Sequence, residues 1–408
     1  MDGSSTTSAS GYGDLFRRRE FRALWAGSAL STAATSMAGL VLGLLVHAES
    51  GSAFLTALVV FGPSLAQLLG ASTLMSAADT VSPRVLLTAA AAVMAAAFTA
   101  QAVLDVAPSA RLLLVVATSV VLSIASGARW GLLSEVVPAG QYALARSAMN
   151  VSVGAMQVVG FAIGGALSGL VQPSTGFWVA AATSVSAAAV SWFGIGAHPA
   201  RRAGRPGFRA TWAGNAILLR QPSTRWLLIA LCVPNGLVAG CEALFVSYSP
   251  GSAAVFFMTG AAGMLAGDVL MGRVLTAPGR RVATVWLRFL LPLPFLVFLW
   301  HPPLAVAAAM VGLASLGYAA SLGQQELLVT LTPPRLTGQL LGAESSARVA
   351  FQGLAAALAG ALAEFIPAGQ AIAVLSVCSV AVSLLLTPGL RRAAQTVSPR
   401  PPIATATH

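Results

Sequence analysis

Lysine is absent from the 408 residues, and all 23 basic positions are arginine. The chain therefore lacks the Gly-x-x-x-x-Gly-Lys-[Ser/Thr] loop that cradles nucleotide phosphates, which argues against ATP-driven work by this chain alone. Uniform arginine usage fits GC-rich coding in a bacterium. Charge of either sign is scarce: 9% of residues are charged, against about 25% in a soluble protein. A globule of this composition has too little polar surface to face water. The three cysteines, Cys232, Cys241 and Cys378, fall in apolar stretches with neither metal-ligand spacing nor a paired framework. His47, His198, His301 and His408 do not cluster with acids, so no metal site is read from them. The start, Met1 to Gly13, is rich in Ser, Thr and Gly and lacks the basic n-region of a signal peptide.

What the chain does have is apolar length. Hydrophobic residues make up 57% of it, and the mean hydropathy is +0.81. The apolar runs reach about 20 residues, enough for a helix to cross a bilayer. They do not alternate in the ~10-residue pattern of barrel strands. Since only helices and closed barrels satisfy their backbone in lipid, the expected class is all-α and polytopic. Spans are expected near 21–47, 52–76, 84–106, 110–133, 147–170, 174–197, 224–248, 252–275, 281–300, 303–329, 338–364 and 367–388, broken at turn formers such as Gly51, Pro83, Pro108, Pro173, Pro250 and Pro367.

Arginine placement orients these spans. With the N-terminus inside, all but three of the 23 arginines fall in cytoplasmic segments or at their edges, as the positive-inside rule requires. Arg111 lands outside, and Arg288 and Arg348 lie within spans. This topology accounts for the net charge of +11 better than nucleic-acid binding does, because the charge is dispersed over short loops. The expected organisation is a cytoplasmic tail over 1–20, a six-helix bundle over 21–197, a basic linker over 198–223, a second six-helix bundle over 224–388, and a cytoplasmic tail over 389–408. The linker segment Gly207–Trp212 reads either as plain connection or as a short helix on the inner leaflet. Trp25, Trp130, Trp178, Trp192, Trp226, Trp286 and Trp300 sit near the expected interfaces, as an aromatic belt would.

The two halves repeat. One constant offset sets Leu133–Pro138 over Leu328–Pro333, Gln157 over Gln352, and Gly165-Ala166-Leu167 over Gly360-Ala361-Leu362. Parallel six-span repeats are one of the arrangements from which transporters are built.

At this point the chain resembles the major facilitator superfamily over nearly its whole length. That family's loop between its second and third helices reads Gly-x-Leu-Ala-Asp-Arg-x-Gly-Arg-Arg. The first half here offers Met75 to Arg84, keeping Asp79 and the final Arg84 but neither glycine. The second half offers Gly272 to Arg281, keeping Gly272, Gly279, Arg280 and Arg281 but losing the acid. The resemblance implies that Asp79 faces the N-terminus of the eleventh helix near Thr337–Gln339 and helps close the cytoplasmic side; a carboxylate so placed gains roughly 0.3–1 kcal/mol. A solvated loop charge is the alternative. Gly160, Gly164 and Gly165 occupy the place of the family exporters' Gly-Pro-x-x-Gly-Gly, with Phe161 for the proline. They read either as that signature or as plain close packing. The segments Leu133–Asn150 and Leu328–Glu344 are similar to a bacterial exporter subgroup that includes siderophore and macrolide efflux proteins.

Ionisable residues inside a membrane are functional hypotheses by default. They concentrate in the second half: Glu242, Asp268, Glu326, Glu344, Arg288 and Arg348. Glu344 and Arg348 stand four apart with the acid first, the favourable order for a helical pair. Glu344, Glu326, Asp268 and Arg288 share the cytoplasmic third and are expected to cluster, either as a network that breaks and reforms or as a static neutralised one. Arg129 is assigned to the same charge network. Glu242 lies about 9 Å from the outer end of its helix at 1.5 Å per residue, with no arginine in helical reach. It is suited to take up and release protons, or it faces extracellular water. Glu242, Asp268, Glu326 and Glu344 are the coupling candidates, and depth alone nominates Gln67, Asn150, Gln157, Asn235 and Gln352 as polar cavity contacts.

The expectation is a secondary active transporter in the bacterial cytoplasmic membrane, exporting a small amphipathic molecule by alternating access. It would act as a monomer in the lipid bilayer, need no cofactor beyond a proton gradient, bind no nucleic acid and catalyse no reaction. An importer or uniporter of a metabolite is one alternative. A non-transporting receptor or assembly protein on a transporter scaffold is the other.

Overall fold

The computed structural model describes residues 12–73, 81–138, 141–199, 222–332 and 337–395. Ten helices among them are long and apolar enough to cross a membrane, and two shorter apolar helices, Ala53–Ala66 and Pro108–Val120, supply the remaining crossings. In chain order the first half holds α1 (Arg19–Ser50), α2 (Ala53–Thr73), α3 (Pro83–Val103), α4 (Pro108–Val136), α5 (Tyr142–Leu170) and α6 (Pro173–Gly194). The second half holds α7 (Thr224–Tyr248), α8 (Pro250–Val274), α9 (Pro278–Trp300) and α10 (Leu304–Thr330), then α11 (Thr337–Ala363) and α12 (Ala368–Gln395). A short helix, Tyr12–Arg17, precedes them.

Local chemistry explains the boundaries. Pro83, Pro108 and Pro173 open α3, α4 and α6, the first-turn position where a missing N–H costs nothing. Gly51 ends α1 with φ 63 and returns its N–H to the His47 carbonyl at 2.9 Å, a left-handed cap that only glycine adopts freely. Prolines inside spans, Pro63, Pro234 and Pro388, each remove one N–H from the backbone ladder, and serine hydroxyls add bonds between helices near two of the second half's prolines. Ser379 of α12 donates to the Pro234 carbonyl at 3.2 Å, and Ser376 donates to that of Pro292 at 2.7 Å.

With an even number of crossings, the described chain starts and finishes at one end of the bundle, called here the terminal end; Gly51 and Glu364 mark the far end. Inside the first half α5 lies hard against α1: a Cβ built on Gly160 would fall 2.6 Å from the Ala33 carbonyl, and one on Gly164 3.0 Å from that of Met37. This is close packing through small residues. Between the halves, α2 packs on α11 and α5 on α8. Gly360 meets Phe54 and Ala57, Gly165 meets Ala254, and Phe161 stacks on Phe257 at 5.0 Å. Beyond them Phe245, Phe256, Phe295 and Phe298 fill the second half toward the far end.

One polar contact completes that closure. The exposed Glu364 carboxylate, just beyond α11, accepts the Ser52 hydroxyl at 2.7 Å and the Phe54 N–H at 2.9 Å. It thus caps the N-terminus of α2 from the opposite half, where the helix dipole favours an anion. The Phe54 N–H, with the Ser52 hydroxyl, holds this carboxyl below the usual carboxylate range.

Two outcomes follow from this geometry. Gly160→Leu should lower the thermal midpoint in detergent by the equivalent of about 1–3 kcal/mol, the usual cost of overpacking. Gly169→Ala, where a Cβ meets nothing, should leave it unchanged. Glu364→Ala should raise far-end accessibility of a cysteine placed at Phe54. Because the capped form has the depressed pKa, its contribution is complete above the ordinary carboxylate value, about 4.3, and is lost as pH falls below it. Compared at the same pH so that the thiolate fraction cancels, the excess labelling of Glu364→Ala over the otherwise native chain should therefore be constant from pH 5 to 8.

Candidate functional site

A cavity of about 580 Å³ lies between the halves, within the roughly 300–1,000 Å³ of small-molecule sites. The first half contributes hydroxyls and amides, among them Thr35, Ser36, Gln101, Thr118, Ser119 and Gln157. Among the described residues, every ionisable group on its wall, Glu242, Asp268, Tyr318 and Arg348, comes from the second half.

Glu242 sits where α7 is interrupted, between the segments Pro222–Ala243 and Phe245–Tyr248. Its partner Tyr318 sits in the tightened turn Gly317–Ala319 that interrupts α10. The α7 break lies about one turn from its far end and the α10 break near the middle of its span; interrupted helices are a recurring way of building transporter sites. Glu242 is 9% exposed, the Tyr318 phenol lies against its carboxyl, and its Oε1 has no hydrogen-bond partner. No cation pairs with it among the described residues. The site is thus a nearly buried carboxylate on the wall of a largely apolar cavity that carries a few polar groups.

Lower on the same wall, Arg348 pairs with Glu344 at 3.0 Å, and Gln325 donates to the other Glu344 oxygen at 3.0 Å. Glu344 is only 1% exposed, so the pair neutralises it and leaves Arg348 facing the cavity with Asp268. Gln352 donates to the Asn235 Oδ1 at 2.7 Å, tying α11 to α7 on the cavity surface.

The expected four-membered cluster separates into three places. Glu326 turns outward and meets Arg280 at 3.3 Å; neighbouring helical residues point about 100° apart, so Gln325 takes the inner position instead. Arg288 is buried but donates to the Thr387 hydroxyl at 2.9 Å and lies over the Phe289 ring, with no acid beside it among the described residues. Arg129 also leaves the network: it donates to Ser28 at 3.1 Å in a separate crevice of the first half. Asn150 is exposed and off the cavity wall: seven residues before Gln157 it shares that face of α5 but lies about 10 Å nearer the terminal end. Asp79 and the Gln67 side chain lie outside the described residues. Of the loop positions, Arg84 lies over Trp192 at 4.1 Å, and Arg280 donates to the Leu275 carbonyl at 3.2 Å. Gly272 lies in the widened, π-type turn Leu270–Val274 with open space about it, Gly279 opens α9, and Arg281 is exposed there.

Tyr318 and the hydroxyl wall were missed by reading depth and charge. The one available signal was the Gly317-Tyr318 step inside an otherwise apolar run. Since Glu344 is fully buried, Arg348→Met should lower stability by about 3–5 kcal/mol by stranding a charge. Pairing it with Glu344→Leu should recover most of the loss, measured by thermal unfolding in detergent as a double-mutant cycle.

No protein-family profile matches the sequence, and no curated protein matches it. Solved structures do. A POT family transporter in complex with 5-aminolevulinic acid superposes with TM-score 0.75 at 10% identity, covering 92% of this chain and 97% of that one. The nucleoside transporter NupG gives 0.71 at 10%, covering 92% and 99%. A bacterial homolog of the human lysosomal transporter Spinster, inward-facing and unoccupied, gives 0.67 at 15%, covering 93% and 96%. At such identities the likeness concerns architecture, and it extends end to end in both partners of each comparison. The chain is an all-α, multi-pass membrane protein with the major facilitator transporter fold.

Proposed function

We propose that this chain is a proton-coupled exporter of a small amphipathic molecule, in which Glu242 carries the proton. The observation behind this reading is a nearly enclosed carboxylate, without a cationic partner, facing a cavity between two halves that are packed together toward one end. Moving an ionised carboxylate past hydrocarbon is costly. Glu242 therefore reorients protonated, or neutralised by cargo, and releases its proton on the other side. The cargo occupies the same cavity, with its apolar body against residues such as Phe161, Phe245 and Phe257 and its polar groups against Asn235, Gln352 and Gln157. Alternating access follows from rocking of the halves around this site. Transport as the general activity accords with the structural neighbours, which are transporters.

Orientation and direction rest on sequence. Arginine placement supports a cytoplasmic terminal end, hence a bacterial inner-membrane protein with both termini inside. Gly160, Gly164 and Gly165 at the exporter position, and the similarity of Leu133–Asn150 and Leu328–Glu344 to efflux proteins, support export. The test uses inside-out vesicles and amphipathic dyes such as ethidium and Hoechst 33342. Energised vesicles should accumulate dye, a protonophore should abolish accumulation, and Glu242→Gln should cut it by about tenfold or more, the scale of a lost proton-transfer group. Accumulation that survives the protonophore would sink proton coupling. Dye leaving the vesicles instead would reverse the direction.

A further inference from the structure

At the terminal end two arginines converge on one exposed aromatic pair. The Arg84 guanidinium, from the first turn of α3, lies 4.1 Å over the Trp192 ring. Arg19, from the first turn of α1, donates to the Phe193 carbonyl at 2.8 Å. Trp192 and Phe193 close α6, where they are 42% and 73% exposed. Between the two guanidiniums is a crevice of about 340 Å³ walled by Arg19, Glu20, Arg84, Trp192, Phe193 and the chain from Gly194 to Gly196.

The acid in this crevice is already engaged. Glu20 accepts the Gly196 N–H at 2.7 Å and meets the His198 ring at 3.2 Å. Arg84 has the opposite status: its Nε is buried and has no hydrogen-bond partner. Two guanidiniums held by packing, one with an unmet donor, match the bidentate demands of a phosphate. The location is equally specific. A tryptophan and a phenylalanine turned outward at a helix end mark the depth where headgroups meet acyl chains.

We propose that this crevice binds the phosphate of an anionic phospholipid, with the acyl chains lying along Trp192 and Phe193. The bound lipid links the starts of α1 and α3 to the end of α6. Free phosphate shares the headgroup chemistry but gains nothing from the aromatic pair.

Native mass spectrometry of the detergent-purified full chain, with added dioleoyl phosphatidylglycerol or phosphatidylcholine, tests the assignment. Wild type should retain phosphatidylglycerol over phosphatidylcholine, and Arg19→Gln with Arg84→Gln should reduce that retention about tenfold. Arg281→Gln, an exposed arginine at the same end, should leave it intact. Fluorescence provides a second reading that does not depend on the arginine variants folding. Brominated phosphatidylglycerol should quench wild type more than Trp192→Phe, and brominated phosphatidylcholine should not distinguish them. Equal retention of the two lipids, indifference to the arginine substitutions, or quenching independent of Trp192 would each overturn the site. Displacement of the lipid by millimolar inorganic phosphate would assign the crevice to free phosphate and overturn the lipid.

Discussion

A carboxylate inside hydrocarbon must be given a partner by the protein, because lipid offers none. This chain answers that demand in two ways, and its layout follows from the difference. Glu344 receives everything it needs locally: Arg348 one turn away and Gln325 from the neighbouring helix. Glu242 receives a phenol, a cavity and no cation. The first arrangement is settled whatever the halves do. The second leaves a group without a charged partner among the described residues, which is the feature the proposed coupling uses.

That distinction bears on how the molecule can move. Glu344 and Arg348 lie on one helix, so their separation does not change when one half rocks against the other. The contacts that must change are those spanning the halves. Toward the far end they are of a kind that separates at modest cost: small residues seated against backbone, one stacked pair, Phe161 on Phe257, and the capping of α2 by Glu364. No buried salt bridge between the halves has to be broken among the described residues. The electrostatic work of the cavity stays inside the second half, while the first half offers a neutral wall of hydroxyls and amides.

The repeat plan makes this asymmetry instructive. Gln157 and Gln352 occupy equivalent places and both reach the cavity, as a duplicated scaffold predicts. Among the described residues Glu242 has no acidic counterpart on the first-half wall. Near-symmetric backbones thus carry unlike chemistry, and fold likeness to transporters of other cargo says nothing about which cargo fits here.

The sequence by itself determined the crossings and the handed-down plan. Apolar run length is a local property, and each arginine constrains one short loop, so both survive without any knowledge of tertiary contacts. The Glu344–Arg348 pair was legible for the same reason, being four residues apart on one helix. What only tertiary structure decided is which side of each helix meets which neighbour. Depth placed Glu326, Arg288 and Arg129 beside the other charges, but helix rotation sent Glu326 to Arg280, Arg288 to Thr387 and Arg129 to Ser28. Depth likewise nominated Asn150, which shares the face of Gln157 but lies about 10 Å along α5, below the cavity. Tyr318 could be set against Glu242 only by folding, since nothing along the chain relates residues on α7 and α10. A hydropathy pattern fixes how far along the membrane normal a residue lies; its azimuth around the helix is set by packing against helices distant in sequence.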